Sequence, residues 1–206
     1  MRELFPPAAY AREDERPDPE FYEEPRKVVH IDDQALAALR RLYEEVLPAG
    51  AKLLDLLSSW RSHLPDRLDA EVVGVGLNAE EMGDNPQLSS YVVHDVNRQP
   101  RLPFEDATFD GAMCAVSIQY VTHPVRFFAD VCRVLKPGAP FLVTFSNRCF
   151  PTKAVAVWLN TTDAHHVELV QAYFEASGGW TKPVAENRSP GPDSDPLYAV
   201  WARRAT

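Results

Sequence analysis

The chain has 206 residues, 45% of them hydrophobic, and a formal net charge of −9. This length and apolar content suffice for one sizeable core and exclude a disordered chain. The negative balance repels phosphate backbones and anionic bilayers, and no stretch approaches the roughly 20 apolar residues of a membrane span, so neither a nucleic acid nor a membrane is expected as partner.

Residues 1–30 are rich in proline, acid and aromatics; Pro6, Pro7, Pro17, Pro19 and Pro25 rule out a long helix. An extended arm lying on the domain is expected, with Phe21 and Tyr22 as anchors and residues 31–206 forming the domain itself. Residues 31–47 carry apolar positions at helical spacing, with Asp32 or Asp33 as cap and Pro48 and Gly50 as stop. Then short apolar runs begin: Lys52 to Leu57, Glu71 to Val75, Tyr91 to Val93, Phe109 to Ile118 and Pro140 to Phe145. Helical segments separate most of them, the clearest being Val125 to Leu135, which stops at Lys136-Pro137-Gly138. Such alternation predicts parallel βαβ units with right-handed crossovers. Two further helices are expected near 152–159 and 164–176, then two strands near 180–184 and 197–202, close enough for a hairpin. Cys114, Cys132 and Cys149 show no ligand spacing, so they read as free thiols, no metal site is expected, and a reducing, cytoplasmic setting fits.

Leu102 to Val121 (LPFEDATFDGAMCAVSIQYV) and Asp130 to Phe145 (DVCRVLKPGAPFLVTF) resemble two segments of class I S-adenosylmethionine-dependent methyltransferases, specifically their type 11 methyltransferase domain. KLLDL (Lys52 to Leu56) and EVVGVGLNAEEM (Glu71 to Met82) match the family's first strand and its second strand with the following helix. The resemblance covers roughly residues 45 to 150. It implies an α/β fold: a doubly wound, seven-stranded, mostly parallel Rossmann-like sheet with a C-terminal β-hairpin. It also implies S-adenosylmethionine as cofactor and a small-molecule acceptor. Two family features are altered. The acid-x-G-x-G-x-G loop after strand one keeps its acid as Asp55, but Leu57, Ser59 and Arg61 stand at the glycine positions; and the ribose-binding acid that ends strand two is replaced by Gly76.

Ligands of open α/β sheets bind outside the carboxyl ends of the strands. The resemblance therefore implies Asp55, Ser58, Ser59, Trp60, Asn78 and Asp95 as cofactor contacts, with the serine hydroxyls replacing glycine amides and Asn78 replacing the missing acid. Tyr120, His63 and His123 are the candidates for proton transfer or acceptor positioning. Each has a structural alternative: Asp55 and Asp95 as turn acids, Trp60 as a wall over the sheet edge, His123 as a residue at the start of a helix before Pro124. Arg26 and His30 lie on the arm; with the arm folded over the pocket, Arg26 could pair with a carboxylate of cofactor or substrate, but a solvated charge on an extended segment is the expectation. Asp163, with His165 and His166, reads as a helix start rather than a metal site. Three functions follow: methyl transfer to a small molecule; a methyltransferase-like binding or regulatory module without cofactor, motivated by Gly76 and Leu57; or another enzyme on this fold that uses His63, His123 and Tyr120.

Overall fold

The computed structural model describes residues 2–206. The apolar runs form strands β1 (Lys52–Leu56), β2 (Glu71–Gly76), β3 (Ser90–Val93), β4 (Gly111–Ala115) and β5 (Pro140–Phe145), followed by β6 (Val184–Asn187) and β7 (Tyr198–Arg203). They build one sheet in the order β3-β2-β1-β4-β5-β7-β6. The first five are parallel; β7 pairs antiparallel with β5 and with β6, which closes the sheet with the expected hairpin. Order reverses between β1 and β4, so the crevice for a ligand opens there, beyond the carboxyl ends of these strands.

Among the described residues, six α-helices accompany the sheet: α1 (Asp18–Phe21), α2 (Asp33–Val46), α3 (Ala79–Gly83), α4 (Pro124–Val134), α5 (Ala156–Leu159) and α6 (Asp163–Ser177). Helix α2 begins where Asp32 accepts a hydrogen bond from the Ala35 N–H, as a capping carboxylate does. Its Ala35, Leu39, Leu42 and Tyr43 pack with Leu53, Val72, Met113 and Leu142 on one face of the sheet. On the other face, Phe127, Phe128 and Val131 of α4 and Val170 and Phe174 of α6 meet Leu54, Cys114, Phe141 and Val143. Burial on both faces explains why the central strands read as unbroken apolar runs.

Several boundaries depart from expectation for local reasons. The fourth strand ends at Ala115, because Val116 adopts a left-handed backbone (φ 50°) and a 3-10 turn, Ile118–Tyr120, follows. The late strand begins at Val184, not Trp180: Pro183 has no N–H to give a ladder, and Trp180 turns into the core beside Phe141 and Phe174. The segment from Thr152 is turns until α5. Helix α6 is preceded by Thr162, and Asp163 lies inside its first turn instead of capping it. The arm has two short helical turns, Pro7–Tyr10 and Asp18–Phe21, between extended stretches.

A buried ionic cluster ties the arm down. Lys153 is 0% exposed, and its Nζ donates to the carbonyls of Asp14 (3.1 Å) and Arg16 (2.7 Å) and pairs with Asp18 Oδ1 (3.2 Å). Asp18 also pairs with Arg12 (2.6 Å) and accepts from the Asn97 amide (2.8 Å). Asn97 in turn donates to the Tyr120 carbonyl and accepts from the Thr122 N–H. Removing one member of such a set strands a buried charge. Lys153→Ala is expected to lose about 3 kcal/mol in urea unfolding, with faster proteolysis within residues 12–30; unchanged arm cleavage contradicts the anchoring role.

Candidate functional site

The cleft at the carboxyl ends of β1, β2 and β4 is lined by Asp55, Ser58, Ser59, Trp60, His63, Asn78, Asp95 and Tyr120, and the arm forms its other wall through Asp18, Tyr22, Arg26, Val28 and His30. All six expected cofactor contacts and two of the three proton-transfer candidates are thus brought together. His123 is not: it stands before α4 in a neighbouring groove with Asp95, Asn97, Arg98 and the first residues of the arm. The enclosed space is about 130 Å³. That is less than the roughly 300 Å³ from which drug-sized ligand sites begin, so a larger ligand needs the arm to shift.

Three non-glycine residues on this cleft hold left-handed backbones: Leu57 (φ 57°), His63 (φ 59°) and Val116 (φ 50°). Leu57 therefore keeps the conformation that glycine supplies in the resembled loop, at a steric cost. A β-branched residue there is rarer still, and such strain concentrates at ligand sites.

The loop after β1 explains Gly76. The Ser58 N–H bonds the Val75 carbonyl (2.8 Å), which draws the loop against the end of β2. A Cβ on Gly76 would stand 2.2 Å from the Ser58 carbonyl oxygen. No side chain fits there, so the missing strand-two acid and the changed loop are one alteration. Gly76→Asp, which places the resembled family's acid at this position, is expected to destabilise the fold by about 2 kcal/mol or more in chemical denaturation; unaltered stability contradicts this backbone contact.

A different carboxylate stands nearby. Glu81 of α3 is only 5% exposed and lines the same cleft. Its oxygens accept from the Ser59 hydroxyl and from the Arg26 backbone N–H. Asn78 caps α3 by accepting from the Glu81 N–H and donates its amide to the Tyr22 and Glu23 carbonyls of the arm. Trp60 donates its N–H to the Val28 carbonyl, and the Arg61 guanidinium covers its ring at 4.1 Å. Asp95 accepts from the N–H groups of Asn97 and Arg98, as a turn acid does. Glu81 went unnoticed in the sequence because it reads as one of two acids opening an exposed helix; only the arm's path buries it.

Asp55 is 4% exposed, and Ser58 and Ser62 both donate hydroxyls to its Oδ2 (2.7 Å each). Burial raises its pKa to about 6 against the lowering effect of the two serines. His63 is driven down to about 4, first by burial and then by Arg40 and Arg61, and burial also lowers His30. Both imidazoles are therefore neutral at neutral pH. Burial raises the Tyr120 phenol, which stays protonated and accepts from the Phe150 N–H (2.8 Å). Arg26 is not the solvated charge expected: it is half-buried and faces the cleft.

The Asp55 shift fixes a pH dependence. The folded pKa lies above the unfolded value of 3.8, so the folded state binds this proton more tightly. The associated stabilisation is full below pH 3.8 and is lost as pH rises through about 6. Asn keeps an acceptor for both serines without a charge. Asp55→Asn is expected to be more stable than the parent by about 2 kcal/mol at pH 8, with the gap closing towards pH 4. Thermal unfolding across that range checks it, and a gap that widens on acidification contradicts it.

Among the described residues, no group of His, Cys, Asp and Glu is arranged to hold a metal, and no helix is long and apolar enough to cross a membrane. Comparison with known proteins places the cleft in context. The family model described as a methyltransferase domain matches residues 58–143. Methyltransferase phqN of Penicillium fellutanum is 36% identical over 78 residues, which is 35% of this chain and 24% of that protein; the match thus spans about a quarter of the relative's length. Among solved structures, the [4+2]-cyclase SpnF has a TM-score of 0.59 at 17% identity, over 82% of this chain and 81% of that one. An S-adenosylmethionine-dependent methyltransferase from Aquifex aeolicus has a TM-score of 0.57 at 17% identity, over 91% and 97%.

Proposed function

We propose that this chain is a class I S-adenosylmethionine-dependent methyltransferase, a reading supported by the methyltransferase-domain match over residues 58–143, and that it transfers a methyl group from that cofactor to a small-molecule acceptor in the cleft. The observation that supports this most is the donor set. Three carboxylates, Asp55 near the carboxyl end of β1, Glu81 of α3 beside β2 and Asp95 beyond β3, line one cleft at the sheet's switch point. They suit a ligand that offers an ammonium, a pair of ribose hydroxyls and an exocyclic amine, in that order along the sheet. In this reading Glu81 takes over from the acid that Gly76 cannot carry. Asn78 and Ser59 orient it, and Trp60 forms the outer wall.

When bound, the cofactor supplies an electrophilic methyl group on a sulfonium. The chain's own part is to hold the acceptor in line and to exclude water. Tyr120, with its phenol protonated, serves as a hydrogen-bond donor. His63, being neutral, offers a lone pair for an acceptor's proton; its low pKa makes it a weak base, so proximity carries more of the effect than proton transfer. His123, in the neighbouring groove, lines the approach to the cleft instead of its floor. The negative net charge supports a small acceptor over a nucleic acid or an anionic membrane, and the buried free thiol Cys114 suits the cytoplasm.

A second reading has its own support: the arm's backbone already takes Asn78, Glu81 and Trp60, as in a module that no longer binds the cofactor, and SpnF on the same fold is a cyclase. Titration calorimetry with S-adenosylhomocysteine separates the two. Micromolar binding is expected, weakened about tenfold or more by Glu81→Gln, the loss of a hydrogen bond to a charged group. No heat at millimolar ligand favours the second reading.

A further inference from the structure

Arg26 has a cation that methyl transfer as described leaves unused. Its backbone is moored on the β2 side by Glu81, while its side chain reaches across to the β5 side. There the guanidinium lies 4.1 Å from the Phe21 ring centre and 5.6 Å from that of Phe150, and its Nε and one Nη donate to the Phe21 carbonyl (3.3 and 3.2 Å). Two aromatic faces and one carbonyl fix the plane of the fork and leave its remaining N–H groups for another partner.

The carboxylates of the cleft are each engaged elsewhere. Asp18 is paired with Arg12 and Lys153, Asp55 with two serines, Glu81 with Ser59 and a backbone N–H, and Asp95 with loop amides. Among the described residues, then, a permanently charged fork faces the cleft with no carboxylate of its own. Beside it is a flat aromatic wall: Phe150 stacks on Tyr120 (6.2 Å, 26°), with His30 edge-on at 4.8 Å.

We infer that Arg26 binds a carboxylate on the methyl acceptor, so that the acceptor class is a small, flat carboxylic acid whose body lies along Phe150 and Tyr120. The inference rests on the methyltransferase reading for the word acceptor, and on Arg26 and its aromatic cradle for the carboxylate. The planar fork matches a carboxylate with two parallel hydrogen bonds, and the partly desolvated cleft strengthens them.

The test uses benzoate and its neutral isostere benzamide as probes in calorimetry on the full chain, with and without S-adenosylhomocysteine. Benzoate is expected to bind at least about tenfold tighter than benzamide. Arg26→Gln is expected to reduce benzoate to the benzamide level and to leave S-adenosylhomocysteine affinity within about twofold. Arg26→Lys, which keeps the charge without the fork, is expected to fall between; thermal melting confirms that each variant folds. Equal binding of the two probes, binding of neither, or a matching loss of S-adenosylhomocysteine affinity in Arg26→Gln overturns the inference, the last by assigning Arg26 to the cofactor. If the parent binds no S-adenosylhomocysteine, the methyltransferase reading fails, while the benzoate and benzamide contrast still decides the carboxylate site.

Discussion

The contact between the loop after β1 and the end of β2 governs the rest of the site. One hydrogen bond, from the Ser58 N–H to the Val75 carbonyl, lays the loop backbone over Gly76 at a separation no Cβ tolerates. From that follow the absence of an acid at the carboxyl end of β2 and the exposure of the Ser59 hydroxyl towards α3. The recruitment of Glu81 as the cleft's carboxylate on that side follows as well. Leu57 bears part of the steric cost by keeping a left-handed backbone without glycine's freedom. The glycine motif of the resembled family is absent here as a string of letters, while Leu57 keeps a backbone of the kind glycine favours.

The second determinant is the arm. It is held by the Lys153–Asp18–Arg12 cluster at one end and by Asn78, Glu81 and Trp60 at the other. Apart from the local Arg12–Asp18 pair, these bonds join the arm to segments at least 32 residues away in sequence. They turn a proline-rich segment into a wall of the cleft, and they bring in the two features of most chemical interest, the buried Glu81 and the cradled Arg26. Because the same bonds use groups that a cofactor would want, ligand binding and arm position are coupled: each has to accommodate the other.

How much of this was legible beforehand depends on the range of the interaction. Local and periodic signals served well. Apolar runs located the central strands, Lys136-Pro137-Gly138 marked the stop after α4, and Asp32 capped α2 as expected. The family resemblance led from those to a seven-stranded, mostly parallel sheet with its terminal hairpin and to most of the residues around the cleft. Misreadings arose where distant segments decide. Arg26 looked like a solvated charge because nothing in its own segment foretells Phe150, and Glu81 drew no reading at all because the arm that buries it lies 55 residues away. That Gly76 replaces an acid was legible; that the loop backbone forbids any side chain there was not. His123 shares the sheet end with Tyr120 and His63 but faces another groove, a distinction of side-chain direction that spacing does not carry.

The central claim is that the cleft and the arm form one cofactor-binding unit. Hydrogen–deuterium exchange of the full chain, with and without saturating S-adenosylhomocysteine, tests it most directly. The account predicts slower exchange on binding in residues 18–31 of the arm together with residues 57–63 of the loop after β1. Protection confined to the sheet ends, with exchange in the arm unchanged or faster, would contradict it.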